Sequence, residues 1–243
     1  MLVKWNGIVM NGISWRLVLF SMALVSVSSY AGIVVNSTRV IYSADQKEVT
    51  VGMRNTGKSP SLVQSWIDTG DPLAAPESIH VPFVIMPPIT RIDGGKGQTL
   101  RLVYTGGDLP KDRESVFWLN ILSVPPKKLD TSNHYLNVAY QTRVKLFYRP
   151  TGLKMSPERV AEKLQWKTEA HTLIAYNPTP YYISLASVDW ESAGKTISVP
   201  GVMVAPFGQN RIEIKQDTPL AAPLNYTIID DLGRAETLSS ALN

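Results

Sequence analysis

From Gly32 onward, short runs recur in which apolar residues occupy every second position. Side chains of an extended chain alternate faces, so such runs are expected as strands with one face buried. The pattern predicts strands over 33–42 (IVVNSTRVIY), 47–55 (KEVTVGMRN), 61–68 (SLVQSWID), 81–86, 98–104 (QTLRLVY), 115–124 (SVFWLNILSV) and 135–149. Asn-Thr-Gly-Lys, Asp-Pro, Asp-Gly-Gly and Gly-Gly-Asp fall between them, all of them turn chemistry. Seven strands in roughly 115 residues, rich in Val, Ile and Tyr, match the spacing of an immunoglobulin-like sandwich.

The last of these runs is unusual. In YLNVAYQTRVKLFYRP (135–150), Leu136, Val138, Tyr140, Val144, Leu146 and Tyr148 share one parity, while Arg143, Lys145 and Arg149 occupy the other. On the strand pattern alone, Leu136, Val138 and Tyr140 could face this domain's own core or be offered to another protein. Arg143 is expected to be solvated. Arg149-Pro150-Thr151-Gly152 then breaks the run, because Pro150 cannot donate to a ladder and Gly152 relaxes the backbone. A domain boundary is expected here, giving domains over 32–150 and 151–243. A helical turn is expected within 157–165, with Pro157 at its start. Strands are expected over 172–177, 181–190, 195–199, 210–215 and 225–230, and the tail from Gly233 is left without one.

The first 31 residues follow a different pattern. Lys4 and Arg16 precede the apolar run 17–27 (LVLFSMALVSV), and Ser29-Tyr30-Ala31 is a small-x-small cleavage site. The run is too short to span a bilayer. A signal peptide over 1–31 is expected, starting at Met1 or Met10, with a mature exported chain that does not insert into membranes. Formal charge is +4; without Lys4 and Arg16 it is 22 basic residues against 20 acidic, a net of +2. The basic residues are scattered, so nucleic acid is not an expected partner. There is no cysteine. That excludes thiol nucleophiles and thiolate zinc sites, and the fold must stand without disulfides. His80, His134 and His171 lack ligand or triad spacing, and no HExxH, GxSxG or phosphate-cradling motif occurs. The Gly-rich stretch 93–97 precedes a strand and reads as a turn. Asp230 and Asp231 have no third carboxylate near them in sequence to complete a metal site. Phe117, Trp118 and Trp66 sit in strand patterns and read as packing residues. No enzyme, cofactor or metal is expected. The residues alone lead to an exported two-domain β protein that binds something.

DRESVFWLN (112–120), QTRVKLFYRP (141–150), NPTPYY (177–182), STRVIY (37–42) and PPITRID (87–93) resemble the periplasmic PapD-like chaperones of the chaperone–usher pathway. The resemblance covers nearly all of the chain after residue 31. It implies an all-β fold of two immunoglobulin-like sandwiches in a boomerang arrangement. It implies a periplasmic chaperone for pilus (fimbrial) subunits that lack their own last strand. The chaperone lends a strand by donor-strand complementation and delivers the subunit to an outer-membrane usher, without ATP.

The residues carried over are specific. Leu136, Val138 and Tyr140 match the donor-strand positions. Arg39 and Lys145 match the pair that anchors a subunit's terminal carboxylate. Arginine offers a planar fork for that task and lysine a compact point charge. Glu114, Arg149 and Asp231 match an interdomain salt-bridge set. Pro60 and Val124 match a surface that meets the usher. The short stretch between Pro126 and Tyr135 and the missing cysteines resemble the short-loop branch of the family. Self-association of the free protein is left open, as are the identities of pilin and usher. The competing readings are a pilus structural subunit, an exported sugar-binding sandwich and an exported hydrolase. A subunit would be one incomplete domain with a disulfide; a lectin or hydrolase would need a clustered polar site.

Overall fold

The computed structural model describes residues 32–127, 137–169, 171–214 and 223–242. The expected signal peptide and Leu136 lie outside the described residues. No helix of the described residues is long and apolar enough to cross a membrane.

Nine strands build the first sandwich: β1 (Ile33–Val35), β2 (Arg39–Ser43), β3 (Val49–Asn55), β4 (Ser61–Asp68), β5 (Phe83–Met86), β6 (Ile89–Ile92), β7 (Gly97–Tyr104), β8 (Ser115–Val124) and β9 (Tyr140–Arg149). One sheet has the order β1-β3-β7-β5 and the other β2-β9-β8-β4-β6. Alternate residues from both sheets meet in the core, among them Val40, Val63, Leu100, Leu119, Ile121 and Leu146. The expected strand 33–42 is two strands. The chain leaves the first sheet at Asn36, whose amide still bonds Gly52 O at 3.0 Å, and joins the second sheet at Arg39. The apolar pattern runs through this switch because both halves face the same core. In the same way Pro87 and Pro88 separate β5 from β6, which pairs with β4 in the opposite sheet and was not expected as a strand.

The second sandwich contains β10 (Gln165–Glu169), β11 (Thr172–Tyr176), β12 (Ile183–Ser192), β13 (Lys195–Pro200), β14 (Met203–Val204), β15 (Gln209–Glu213), β16 (Leu224–Ile229) and β17 (Ala235–Ser240). Its sheets are β10-β11-β15 and β13-β12-β16-β17, with β14 beside β12. Trp166, Leu173, Val188, Trp190, Leu224 and Tyr226 form its centre. The expected helical turn becomes two short 3-10 turns, Pro157–Arg159 and Ala161–Lys163. Strands β10, β14 and β17 are not among the expected ones. β14 has only two residues, and β10 and β17 each carry a single apolar residue at an inward position (Trp166 and Leu238), too few to register as a period-two run.

Candidate functional site

Strand β9 pairs with β8 from Ser123↔Tyr140 to Ser115↔Tyr148 without a register shift. Its parity is therefore continuous. Tyr140, Thr142, Val144, Leu146 and Tyr148 continue the core face, and Gln141, Arg143, Lys145, Phe147 and Arg149 line the outer face. On its other edge β9 pairs in parallel with β2, but only from Arg39↔Lys145 to Ser43↔Arg149. Among the described residues no strand occupies that edge from Tyr140 to Val144. Tyr140 is 66% exposed and Val138 40% exposed. Tyr140 thus opens β9 on the core-face parity and yet is largely exposed, and Val138, just before the strand, is exposed too. The strand was expected from residue 135, yet residues 137–139 lie outside it. A strand needs a ladder partner: β8 ends at Val124, which pairs with Leu62, and β2 stops opposite Lys145. Val138 is accordingly exposed and outside a strand.

Arg39 and Lys145 are cross-strand neighbours in this arrangement. Arg39 Nη1 donates to Ile229 O at 2.6 Å, its Nε is buried without a partner, and its guanidinium lies 6.0 Å from the Phe147 ring centre. Lys145 Nζ donates to Ser184 Oγ at 3.3 Å. Among the described residues neither cation forms an ion pair. Burial pulls the Lys145 amine below its usual value, and the charge of Arg39 adds to that. Burial also lowers Arg39, against the opposing fields of Asp231, Asp230 and Glu114. A cavity of about 350 Å³ opens beside Arg39, with Phe147, Tyr182, Ser184 and Ile229 in its lining. Two half-buried cations that form no ion pair among the described residues favour an incoming anion, since a carboxylate would offset their desolvation cost and counter their mutual repulsion.

Further along β9, Arg149 Nε donates to Glu114 Oε1 at 2.7 Å, and its Nη1 and Nη2 reach Asp231 at 2.7 and 3.0 Å. Glu114 Oε2 accepts from the Tyr182 amide at 2.8 Å, and the Glu114 amide donates to Pro180 O at 2.9 Å. Burial raises the Glu114 carboxyl above its usual value despite Arg149 and the Tyr182 amide. Arg149, with two carboxylates for one guanidinium, is held above its ordinary range although burial opposes this. These three residues join the first sandwich to the second.

Arg143 is not solvated. Its Nη2 lies 2.8 and 2.9 Å from the two oxygens of Asp68, and its Nε donates to Asn120 Oδ1 at 3.0 Å. Asn120 Nδ2 donates to Asp68 Oδ2 at 2.6 Å, and Gln141 Nε2 to Asn120 Oδ1 at 2.9 Å. Asp68 is 2% exposed and Asn120 fully buried, so this is a satisfied polar network on the outer face. Only the cross-strand register, which places Asn120 opposite Arg143 and next to the β4 strand of Asp68, reveals it.

Pro60 and Val124 lie near each other at the far end of β4 and β8: Ser61 Oγ donates to Val124 O at 3.2 Å. Val124 and its cross-strand partner Leu62 are both exposed. Among the described residues no group of three His, Asp or Glu side chains could hold a metal ion.

Comparison with known proteins follows the same division. The family model for the PapD N-terminal domain, a pili and flagellar-assembly chaperone, matches residues 32–154, and that for the C-terminal domain of the pili assembly chaperone PapD matches residues 159–240. The probable fimbrial chaperone YadV of Escherichia coli K12 is 46% identical over 220 residues, 86% of this chain and 89% of YadV. The crystal structure of the Pseudomonas aeruginosa CupB2 chaperone is similar at 41% identity and TM-score 0.76, over 86% of this chain and 100% of that one. A chain of the Salmonella enterica complex of the SafA pilin with the SafB chaperone is similar at 32% identity and TM-score 0.76, over 88% of this chain and 98% of that one.

Proposed function

Because the chain belongs to the PapD family of pilus assembly chaperones, we propose that it captures its clients along the open edge of β9 and anchors them at Arg39 and Lys145. It is a periplasmic chaperone, and pilus subunits are its partners. Its role is binding and delivery to an outer-membrane usher, not catalysis.

The observation that carries the site is the conjunction on one strand. From Val144 back to Tyr140, no described strand covers this edge of β9, and Tyr140 and the preceding Val138 are exposed; at Lys145 that edge meets a pair of cations without an ion-pair partner among the described residues. An incomplete sandwich exposes an apolar groove and unpaired backbone, which invites aggregation. A donor strand supplies ladder bonds and an apolar side chain at every second residue, which is β-strand addition. Burying Tyr140 or Val138 in a client groove contributes roughly 1.5–3 kcal/mol each. The residue expected to continue this series is Leu136.

The direction of the client follows from the anchor. A terminal carboxylate held at Lys145 places the rest of the client strand toward Tyr140, so it runs parallel to β9. It thereby extends the line of β2, which occupies the same edge, also in parallel, from Lys145 onward. Tyr140 and Lys145 are five positions apart, a span of about 17 Å in a strand. Each charge-assisted bond to the carboxylate contributes ~1.5–3 kcal/mol. Fixing one end also fixes register, since a slip of one residue turns every donor side chain to the wrong face. Glu114, Arg149 and Asp231 hold the two sandwiches together around this site. Pro60 and Val124, with exposed Leu62 beside them, form the surface offered to the usher. Residues 1–31 act as the export signal, and the domains meet near residue 150.

The test is co-expression with a pilus subunit encoded beside the chaperone. Arg39→Ala and Lys145→Ala should each purify folded, with an unchanged thermal midpoint, yet recover little or no subunit. Normal one-to-one recovery of subunit by both variants would sink the anchor.

A further inference from the structure

Among the described residues Lys145 has no carboxylate partner, yet its ammonium is not left to wander. Asp68, Trp118, Lys145 and Arg39 are successive cross-strand neighbours on β4, β8, β9 and β2. All four stand in one row on the outer face. Adjacent strands are about 4.8 Å apart, so the backbones at Asp68 and Lys145 are separated by about 10 Å. Trp118 fills the position between them. Lys145 Nζ lies 5.7 Å from the centre of the Trp118 ring, within cation–π range.

The ring itself is held. Arg143 Cζ lies 4.8 Å from the centre of the same ring, and that guanidinium is fixed by both oxygens of Asp68 and by Asn120. On another side the backbone at Gly70 passes close: a Cβ there would sit 3.7 Å from Trp118 Nε1, and the Gly70 amide donates to Asp68 Oδ1 at 2.6 Å. Asp68 is thus hydrogen-bonded by Arg143, Asn120 and Gly70, and none of these bonds involves Lys145.

We propose that Trp118 is a positioning residue for Lys145: its indole orients the ammonium through a cation–π contact, strongly enough to direct the charge and too weakly to neutralise it. The purpose of this arrangement rests on the carboxylate-anchor reading above. A carboxylate at position 118 would pair with Lys145 and compete with the client's terminus. An aliphatic residue there would leave a long, rotamer-rich side chain without direction, and ordering it would then fall on the binding step. An aromatic ring avoids both outcomes. The hydroxyl of Ser184, at 3.3 Å, serves the same end from the second sandwich.

Fluorinated tryptophans test this without changing the shape of the ring. Trp118 is replaced site-specifically by mono-, di- and trifluorotryptophan, each of which withdraws electron density from the ring face. The Lys145 amine is titrated by NMR in lysine-labelled protein. The cation–π contact stabilises the ammonium, so the Lys145 pKa should step down monotonically with each added fluorine. Acetate, read from the same signal with acetamide as neutral control, should bind about two- to fivefold more weakly in Trp118→Leu, the worth of one such contact, with Trp118→Phe intermediate. A Lys145 pKa that is flat across the fluorinated series overturns the proposal. If acetate leaves Lys145 unmoved even in the unaltered protein, the anchor reading falls, and the fluorinated series still decides the role of Trp118.

Discussion

At the scale of single residues, the chemistry of the cleft is that of charges only partly withdrawn from water. Lys145 is depressed by burial and by Arg39, so it gives up its proton before an ordinary lysine would at about 10.5. The protonated amine predominates only below that lowered pKa. Carboxylate capture should therefore weaken as pH rises through the alkaline range short of 10.5, and Lys145→Arg should flatten the profile because guanidinium stays charged. Acetate titrations of both proteins across pH 7 to 10.5 check this; an unaltered protein with a flat profile contradicts it. Arg143 shows where sequence reading stops at this scale. Alternation placed it on the polar face, correctly, but a polar face was equated with solvent. Whether Arg143 meets water or Asp68 depends on which of three strands, from positions 68, 120 and 143, lie side by side. No spacing along one chain encodes that. Only the motif resemblance points to Arg39 and Lys145 as a pair, since a lone arginine in STRVIY carries no local signal of an anion site.

At the scale of elements, β9 joins two regimes. From Val144 to Tyr148 its inward residues are buried in their own core; Tyr140 at its start, and Val138 just before it, are exposed. A charge should thus be tolerated at one end and not at the other. Tyr140→Asp should leave stability within ~0.5 kcal/mol, as for most exposed sites, while subunit recovery falls sharply. Val144→Asp should fail to fold, because it would place an unpaired charge among core side chains. Urea midpoints together with subunit co-purification separate the two. Equal loss of stability for both would mean that Tyr140 belongs to the chaperone's own core. The run of apolar parity was legible in the sequence, and so were most strands of the first sandwich. Strand ends were not, because an end is set by where the neighbouring strand stops. Strands β10 and β17 escaped notice for a related reason: each lies at the edge of its sheet and has mostly polar or exposed residues.

At the scale of the whole molecule, two sandwiches with separate cores are joined through side chains that include Arg39, Lys145, Glu114, Arg149 and Asp231. Glu114, Arg149 and Asp231 are 35 and 82 positions apart from one another through Arg149, a constellation that only the fold assembles. Their burial differs, and so should the consequences of removing them. Arg149→Ala would leave the Glu114 carboxylate buried with the Tyr182 amide as its remaining donor. Breaking a buried pair from one side costs on the order of 3–5 kcal/mol. Asp231, whose side chain is 41% exposed, forms the solvated arm of the set. Its removal should cost ~0–1 kcal/mol, since water can replace it. Glu114→Gln should fall between, because the amide oxygen still accepts from Tyr182 while the ion pair is lost. Its deficit should also grow toward acid pH, because the glutamine takes up no proton and gains nothing there. The folded-state pKa of Glu114 is raised, so its burial penalty acts above the usual 4.5 and is relieved as the carboxyl takes up its proton. Differential scanning calorimetry and urea unfolding of the three variants give the order directly. If Asp231→Ala proves as costly as Arg149→Ala, the linkage depends on the exposed arm, and the buried Glu114 pair does not dominate the coupling between the sandwiches.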